Sequence, residues 1–190
     1  MTTINTIGIT KAFLAYGAKV EVTMKAGVGI YLRGHLTDLA INECLSRVAT
    51  ALTVGGWKIP GKNIIINVRG AGGYASMYDL PIALGILVES GQVLVSNLDK
   101  YIIAGEVGLG SELCPLPPGI GAMVADYAQQ DHFEGCILPE STALEATGYT
   151  NINVLSADTI GKAIIALNTP RDYTVWRSRR YIDTTAKIDE

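Results

Sequence analysis

The sequence predicts a mixed α/β domain, and three patterns carry that expectation. Val20, Val22 and Met24 alternate with Lys19, Glu21, Thr23 and Lys25, the period-two signature of a half-buried strand. Ile41, Leu45, Val48 and Leu52 recur at steps of four, three and four, which is the apolar face of a helix. Ile64, Ile65, Ile66 and Val68 form a β-branched run that reads as a central strand buried on both faces. The order of strands in the sheet does not follow from pattern alone.

The elements follow in chain order. Ala26 and Gly27 permit a turn, so Gly29, Ile30, Tyr31 and Leu32 are expected to fold back on residues 19–25 as a hairpin. Thr37 or Asp38 can cap the first helix, and Gly55-Gly56 ends it. After the strand at 64–68, a glycine-rich loop over 70–78 leads into a second helix at about 79–89, closed by Gly91. Residues 101–107 and 112–114 read as strands around the Gly108-Leu109-Gly110 turn. A third helix carries Ile120, Met123, Val124 and Tyr127. Cys136, Ile137 and Leu138 form a short strand stopped by Pro139, followed by a short helix over 140–146 and a strand over 152–155. Ser156 is a candidate cap for a last helix with Ile160, Ala163, Ile164 and Leu167 inward. Residues 1–170 are expected to form the compact domain, and residues 171–190 a polar tail with Tyr173, Val175, Trp176 and Tyr181 as docking groups.

The 190 residues are 48% hydrophobic and 17% charged, which excludes intrinsic disorder for most of the chain. A globule of this length buries about 70% of the surface its unfolded chain exposes, so it needs no disulfide or metal staple. Apolar runs such as residues 82–88 fall short of the roughly 18 residues of a membrane span. The first ten residues lack the basic and apolar regions of a signal peptide, so the chain is expected to be cytoplasmic, with no membrane contact. Cys44, Cys114 and Cys136 read as reduced thiols among apolar neighbours, and His35 and His132 stand far apart, so neither a metal nor a cofactor is expected. The net charge of -3 is unevenly spread: +5 over residues 1–69, -9 over 70–170 and +1 over 171–190. Either folding interleaves these charges, or it leaves opposite patches that favour self-association.

Several motifs carry chemistry in outline. Residues 56–63 nearly spell a phosphate-binding loop, but Asn63 replaces the magnesium-binding hydroxyl and a strand follows instead of a helix, so nucleotide binding is not expected. The glycines at 70, 72 and 73 could let backbone N–H groups approach an anion at a helix start, although a mobile surface loop reads equally well. Ser76 is a conceivable nucleophile that has no base placed near it by sequence. Arg177, Arg179 and Arg180, between Trp176 and Tyr181, are candidate nucleic-acid contacts, since cations bind phosphates and aromatics stack bases.

The segment Tyr78-Asp79-Leu80-Pro81-Ile82-Ala83-Leu84-Gly85-Ile86-Leu87, with Ser90-Gly91-Gln92 after it, resembles the N-terminal domain of magnesium-chelatase-subunit-I-like proteins of the ComM type. Thr10-Lys11-Ala12, Val20-Glu21-Val22, Glu43, Arg47-Val48, Gly56-Trp57-Lys58-Ile59-Pro60 and Gly105-Glu106-Val107 agree in order and spacing. The likeness runs over about residues 8–168, and the loop 69–77 departs from it. It implies an α+β fold shared with the Lon peptidase domain, a mixed β-sheet with packed helices. Carried over position by position, the serine–lysine dyad of that peptidase falls on Asp79 and Ile120. A carboxylate cannot supply an alkoxide and an isoleucine accepts no proton, so the resemblance implies a non-catalytic domain. Asp79 is then expected to act as a structural cap at its helix start.

The implied role is an assembly or substrate-engaging module associated with an ATP-driven AAA+ ring protein, with DNA processing as the setting. Its partners would be copies of itself or an AAA+ motor. ComM-type proteins carry their motor after this domain, and no motor motif occurs in these residues, so the chain is either a stand-alone relative or part of a longer product. Two rival classes stand beside this: a serine hydrolase using Ser76 or Ser111, and a domain that binds nucleic acid directly through the positive first third and the tail.

Overall fold

The computed structural model describes residues 1–148 and 151–177. Four strands, β1 (Thr2–Ile9), β2 (Ala15–Lys25), β3 (Gly29–Gly34) and β4 (Asn63–Arg69), make the first sheet in the order β1-β2-β4-β3. The helix α1 (Asp38–Val54) joins β3 to β4, which run parallel, while β2 is antiparallel to both β1 and β4. The second sheet, β10-β9-β8-β5, is built from β5 (Tyr101–Ile103), β8 (Gly135–Pro139), β9 (Asn153–Ala157) and β10 (Thr174–Arg177). A small hairpin pairs β6 (Glu106–Val107) with β7 (Leu113–Cys114). The class is therefore α+β with mixed sheets and packed helices.

The helix α2 (Asp79–Glu89) is the centre of the molecule. Every residue from Asp79 to Leu87 is buried, which follows from a segment that is apolar on all sides. It packs on the inner face of the first sheet, where Ile4, Val20, Val22, Ile64, Ile66 and Val68 point inward. Gly85 sets the distance: a Cβ there would sit 2.5 Å from Val22 Cγ2. Helix α1 packs beside α2 through Cys44, Val48, Ala51 and Leu52. Three further helices, α3 (Ile120–Gln130), α4 (Glu140–Ala143) and α5 (Ile160–Asn168), flank the second sheet. Among the described residues no helix is long and apolar enough to cross a membrane.

Several sequence expectations need correction. Strands β2 and β3 do not form a hairpin, because β4 lies between them and takes the hydrogen bonds of both. Strand β4 is fully buried on one face only, since Ile65 and Asn67 are half-exposed beside the fully buried Ile64 and Ile66. Residues 2–9, whose sequence shows no clear periodicity, form β1. The expected strand over 101–107 breaks at Ala104-Gly105, where the Gly105 N–H donates to Met77 O instead of continuing a ladder. Thr159, not Ser156, caps α5: its hydroxyl accepts from the Lys162 N–H at 3.1 Å, while Ser156 is paired with Leu138 inside the sheet. Ala166 is buried with Ile160, Ala163 and Leu167, and Ile164 packs half-buried against the core. Past Pro170 the chain makes a helical turn, α6 (Pro170–Tyr173), and then β10, which pairs antiparallel with β9.

Candidate functional site

The position that the resemblance assigns to a nucleophile is the first residue of α2. Asp79 is 0% exposed there, and its carboxylate accepts from Arg47 Nε at 2.7 Å and Arg47 Nη2 at 3.1 Å. It also accepts from the Val107 N–H at 3.3 Å and from the Cys44 thiol. Cys44 and Arg47 stand three residues apart on α1, the spacing that brings both to one helix face. One carboxylate thus joins α1, α2 and the small hairpin.

This geometry corrects the expected helix cap. The partners of the Asp79 side chain, Arg47, Cys44 and the Val107 N–H, all lie outside its own helix. The Leu80 N–H is taken by Gly105 O at 2.9 Å, and Pro81 has no N–H to offer. The carboxylate is directed across to Arg47 on α1 and keeps a favourable place at the positive end of its own helix dipole.

Burial pushes the Asp79 carboxyl above its ordinary value, against the pull of Arg47, Cys44 and Val107. The hydrogen bond to that carboxylate raises the Arg47 guanidinium. Burial also drives the Cys44 thiol far up, with Asp79 adding to it, so Cys44 is a hydrogen-bond donor and no nucleophile. Chemically this is a clamp. It has no ionisable hydroxyl, and Ile120, at the start of α3, is buried in the core.

Ser76 meets the clamp through its carbonyl, which accepts from the Asp79 N–H, while Ser111 lies in another turn. Ser76 lies half-buried in the 3-10 turn that precedes α2 (Ala75–Tyr78). Ser111 is 6% exposed in the β6–β7 turn, at φ 72, with its carbonyl accepting from the Ile160 N–H. The glycine-rich loop is tied down: the Tyr78 hydroxyl accepts from the Gly72 N–H at 2.9 Å and bonds Gly72 O at 2.8 Å. Residues 56–63 run from the end of α1 into β4, with Asn63 as the first strand residue. Among the described residues, no group of three or more His, Cys, Asp or Glu could hold a metal. Arg177 closes β10, while Arg179 and Arg180 lie outside the described residues.

Sequence reasoning gave Arg47 no role, although it is a cation bordering the stripe of Val48 and Leu52 and lying three residues from Cys44. It also missed Glu145, whose Oε2 accepts from the N–H groups of Gly119 (3.1 Å) and Gly121 (3.0 Å) at the start of α3. No local motif announces a cap supplied from twenty-odd residues downstream.

Residues 20–142 match the family model described as subunit ChlI of Mg-chelatase, a span that holds the whole clamp. The chain belongs to this family. It is 34% identical to an uncharacterized protein, YifB, of Salmonella typhimurium over 122 residues, covering 60% of this chain and 23% of that protein. It is 30% identical to the competence protein ComM of Haemophilus influenzae over 154 residues, 78% of this chain and 29% of ComM. The matched region spans less than a third of the length of these curated relatives.

Proposed function

We propose that the chain is a non-catalytic, Lon-like module that assembles with, or engages substrate for, an AAA+ ring protein, in DNA processing. The buried Asp79–Arg47 pair carries this reading. At the helix start where the resemblance places a peptidase nucleophile, the chain holds a carboxylate whose hydrogen bonds all serve to join three elements. The family match and the ComM relative support a setting beside an ATP-driven motor.

The test mixes this chain with the ATPase part of a ComM-type relative and follows both by size-exclusion chromatography with light scattering. The reading expects co-elution and a changed ATPase rate. Separate elution at every concentration tried would refute it. Stoichiometric labelling of Ser76 or Ser111 by a fluorophosphonate, with peptide cleavage, would establish the hydrolase instead.

A further inference from the structure

The first sheet is covered on one face by α1 and α2; Tyr127 of α3 reaches the start of β2 at Gly17, and beyond it the other face of β2, β4 and β3 carries exposed and half-exposed side chains. Strand pairing fixes which side chains stand there. Lys19 is opposite Arg69, Glu21 opposite Asn67, Thr23 opposite Ile65 and Lys25 opposite Asn63, while Tyr31 and Arg33 on β3 lie beside Ile65 and Asn67. Lys19, Lys25, Arg33 and Arg69 are exposed, against Glu21 on the strands and Asp131 at the end of α3, which shares a hollow with Lys19 and Arg69. Glu21 is already engaged, by Arg69 at 3.2 Å and Asn67 Nδ2 at 2.8 Å. The +5 of the first third therefore does not disperse on folding. Much of it collects on one face.

That face is also furrowed. A hollow of about 230 Å³ is lined by Lys25, Tyr31, Arg33, Asn63 and Ile65. A second, of about 300 Å³, lies where Tyr127 and Asp131 of α3 approach Lys19, Arg69 and Gly17. A third, of about 380 Å³, joins Tyr16, His35, Asn67 and Arg69, so Arg69 borders two of the three. Tyr31 is 54% exposed, pairs with Ile65 across the strands, lies with its ring against Gly29, and lines the first hollow together with Lys25 and Arg33.

We infer that this open face binds a single-stranded nucleic acid, with a base stacked on Tyr31 and phosphates held by Lys19, Lys25 and Arg33. Charge complementarity asks for a polyanion. The exposed ring selects among polyanions: an acidic side chain has no flat ring to lay on Tyr31, whereas every base has one. A duplex keeps its base faces in its own stack and could offer only phosphates, so the ring favours a single strand. The inference rests on the substrate-engaging role proposed above and names the substrate class and the surface.

The experiment titrates the full chain into fluorescently labelled oligothymidylate and follows anisotropy at several salt concentrations. Saturable binding is expected, with log K falling against log salt at a slope of about -2, since each phosphate neutralised on a single strand contributes about -0.7. Tyr31→Ala should weaken binding about ten-fold or more, the loss of one stacked base, while Tyr31→Phe should keep it. Lys25→Ala with Arg33→Ala should flatten the salt slope by about 1.4. All three positions are exposed, and melting curves confirm that the variants fold. No saturable binding, no effect of Tyr31→Ala, or equal affinity for polyglutamate and duplex would each overturn the inference. So would a salt-sensitive rise in the chain's own mass, lost in the double variant without any oligonucleotide binding, because the face would then serve a second copy. Co-elution with the motor is read without oligonucleotide, so either proposal can fail while the other stands.

Discussion

Arg47 Nε stands 2.7 Å from Asp79 Oδ2, and that contact fastens the middle of α1 to the first residue of α2. The two partners are unequal, since Asp79 is 0% exposed and Arg47 24%. A charge with no route to water depends wholly on its partner, whereas a long side chain at the surface can turn its head to solvent.

Arg47→Met should therefore cost about 3–5 kcal/mol at pH 7, the loss from leaving a buried charge unpaired. Asp79→Asn should cost clearly less, because Arg47 can rehydrate. Urea unfolding of both variants checks this. Equal losses would mean that the carboxylate has another way to be neutralised.

The pH dependence has a definite sign. Burial raises the Asp79 carboxyl, so above its ordinary value of 3.8 the folded chain holds a proton that the unfolded chain has released. Stability from this group is then complete below 3.8 and is lost as pH rises through the raised value. The unfolding free energy of the wild type, measured against Asp79→Asn, should rise as the pH is lowered from 7 towards 4. The Arg47→Met penalty should shrink over the same range, since the stranded carboxylate can take a proton. A difference that grows with pH would reverse the assignment.

Gly85 lies where α2 presses on β2. Alanine favours a helix interior by about 1 kcal/mol over glycine, yet its Cβ would stand 2.5 Å from Val22 Cγ2. Val22 is fully buried and β-branched, so it has little freedom to yield. Gly85→Ala should destabilise by about 1–3 kcal/mol, the usual effect of overpacking, and Val22→Ala should rescue part of that loss in a double-mutant cycle. Stabilisation by Gly85→Ala alone would show that the helix can shift outward freely.

The three thiols should differ in reactivity. Cys136 is fully buried and pushed up to about 12, Cys44 is raised still further, and Cys114 is half-buried with a smaller push. Titration with a chromogenic disulfide at neutral pH should modify at most Cys114 in the native chain and all three in guanidinium. Fast reaction of Cys44 in the native state would mean that the clamp opens readily.

Local pattern made most of this fold legible, and it failed where the deciding partner lies far along the chain. The alternation of residues 19–25 and the helical stripe from Ile41 to Leu52 are visible in short windows, and both elements form. The β2–β3 hairpin was the economical reading of a short glycine turn, but β4 enters from some forty residues downstream and outbids it. Residues 2–9 escaped notice because threonine and asparagine dilute the apolar positions of an edge strand. The resemblance drew attention to Asp79, but its ion-pair partner Arg47 lies thirty-two residues upstream. The open cationic face needed strand order, because Lys19, Arg33 and Arg69 meet only once β4 lies between β2 and β3.

Thr6 offers a last test of the interior. It is fully buried in β1, opposite Ala18, and its hydroxyl has no hydrogen-bond partner among the described residues. Leaving a buried hydroxyl unpaired costs about 1–3 kcal/mol, whereas a methyl of the same shape carries no such penalty. β-branching suits a strand equally in valine. Thr6→Val should therefore stabilise the chain by about 1 kcal/mol or more, raising Tm by about 2–4 °C per kcal/mol for a domain of this size. Thr6 also lines the hollow shared with Tyr127 and Arg69, and a water molecule reaching its hydroxyl from there would supply the missing hydrogen bond. A fall in Tm for Thr6→Val would show that one does, and that this part of the sheet is wet.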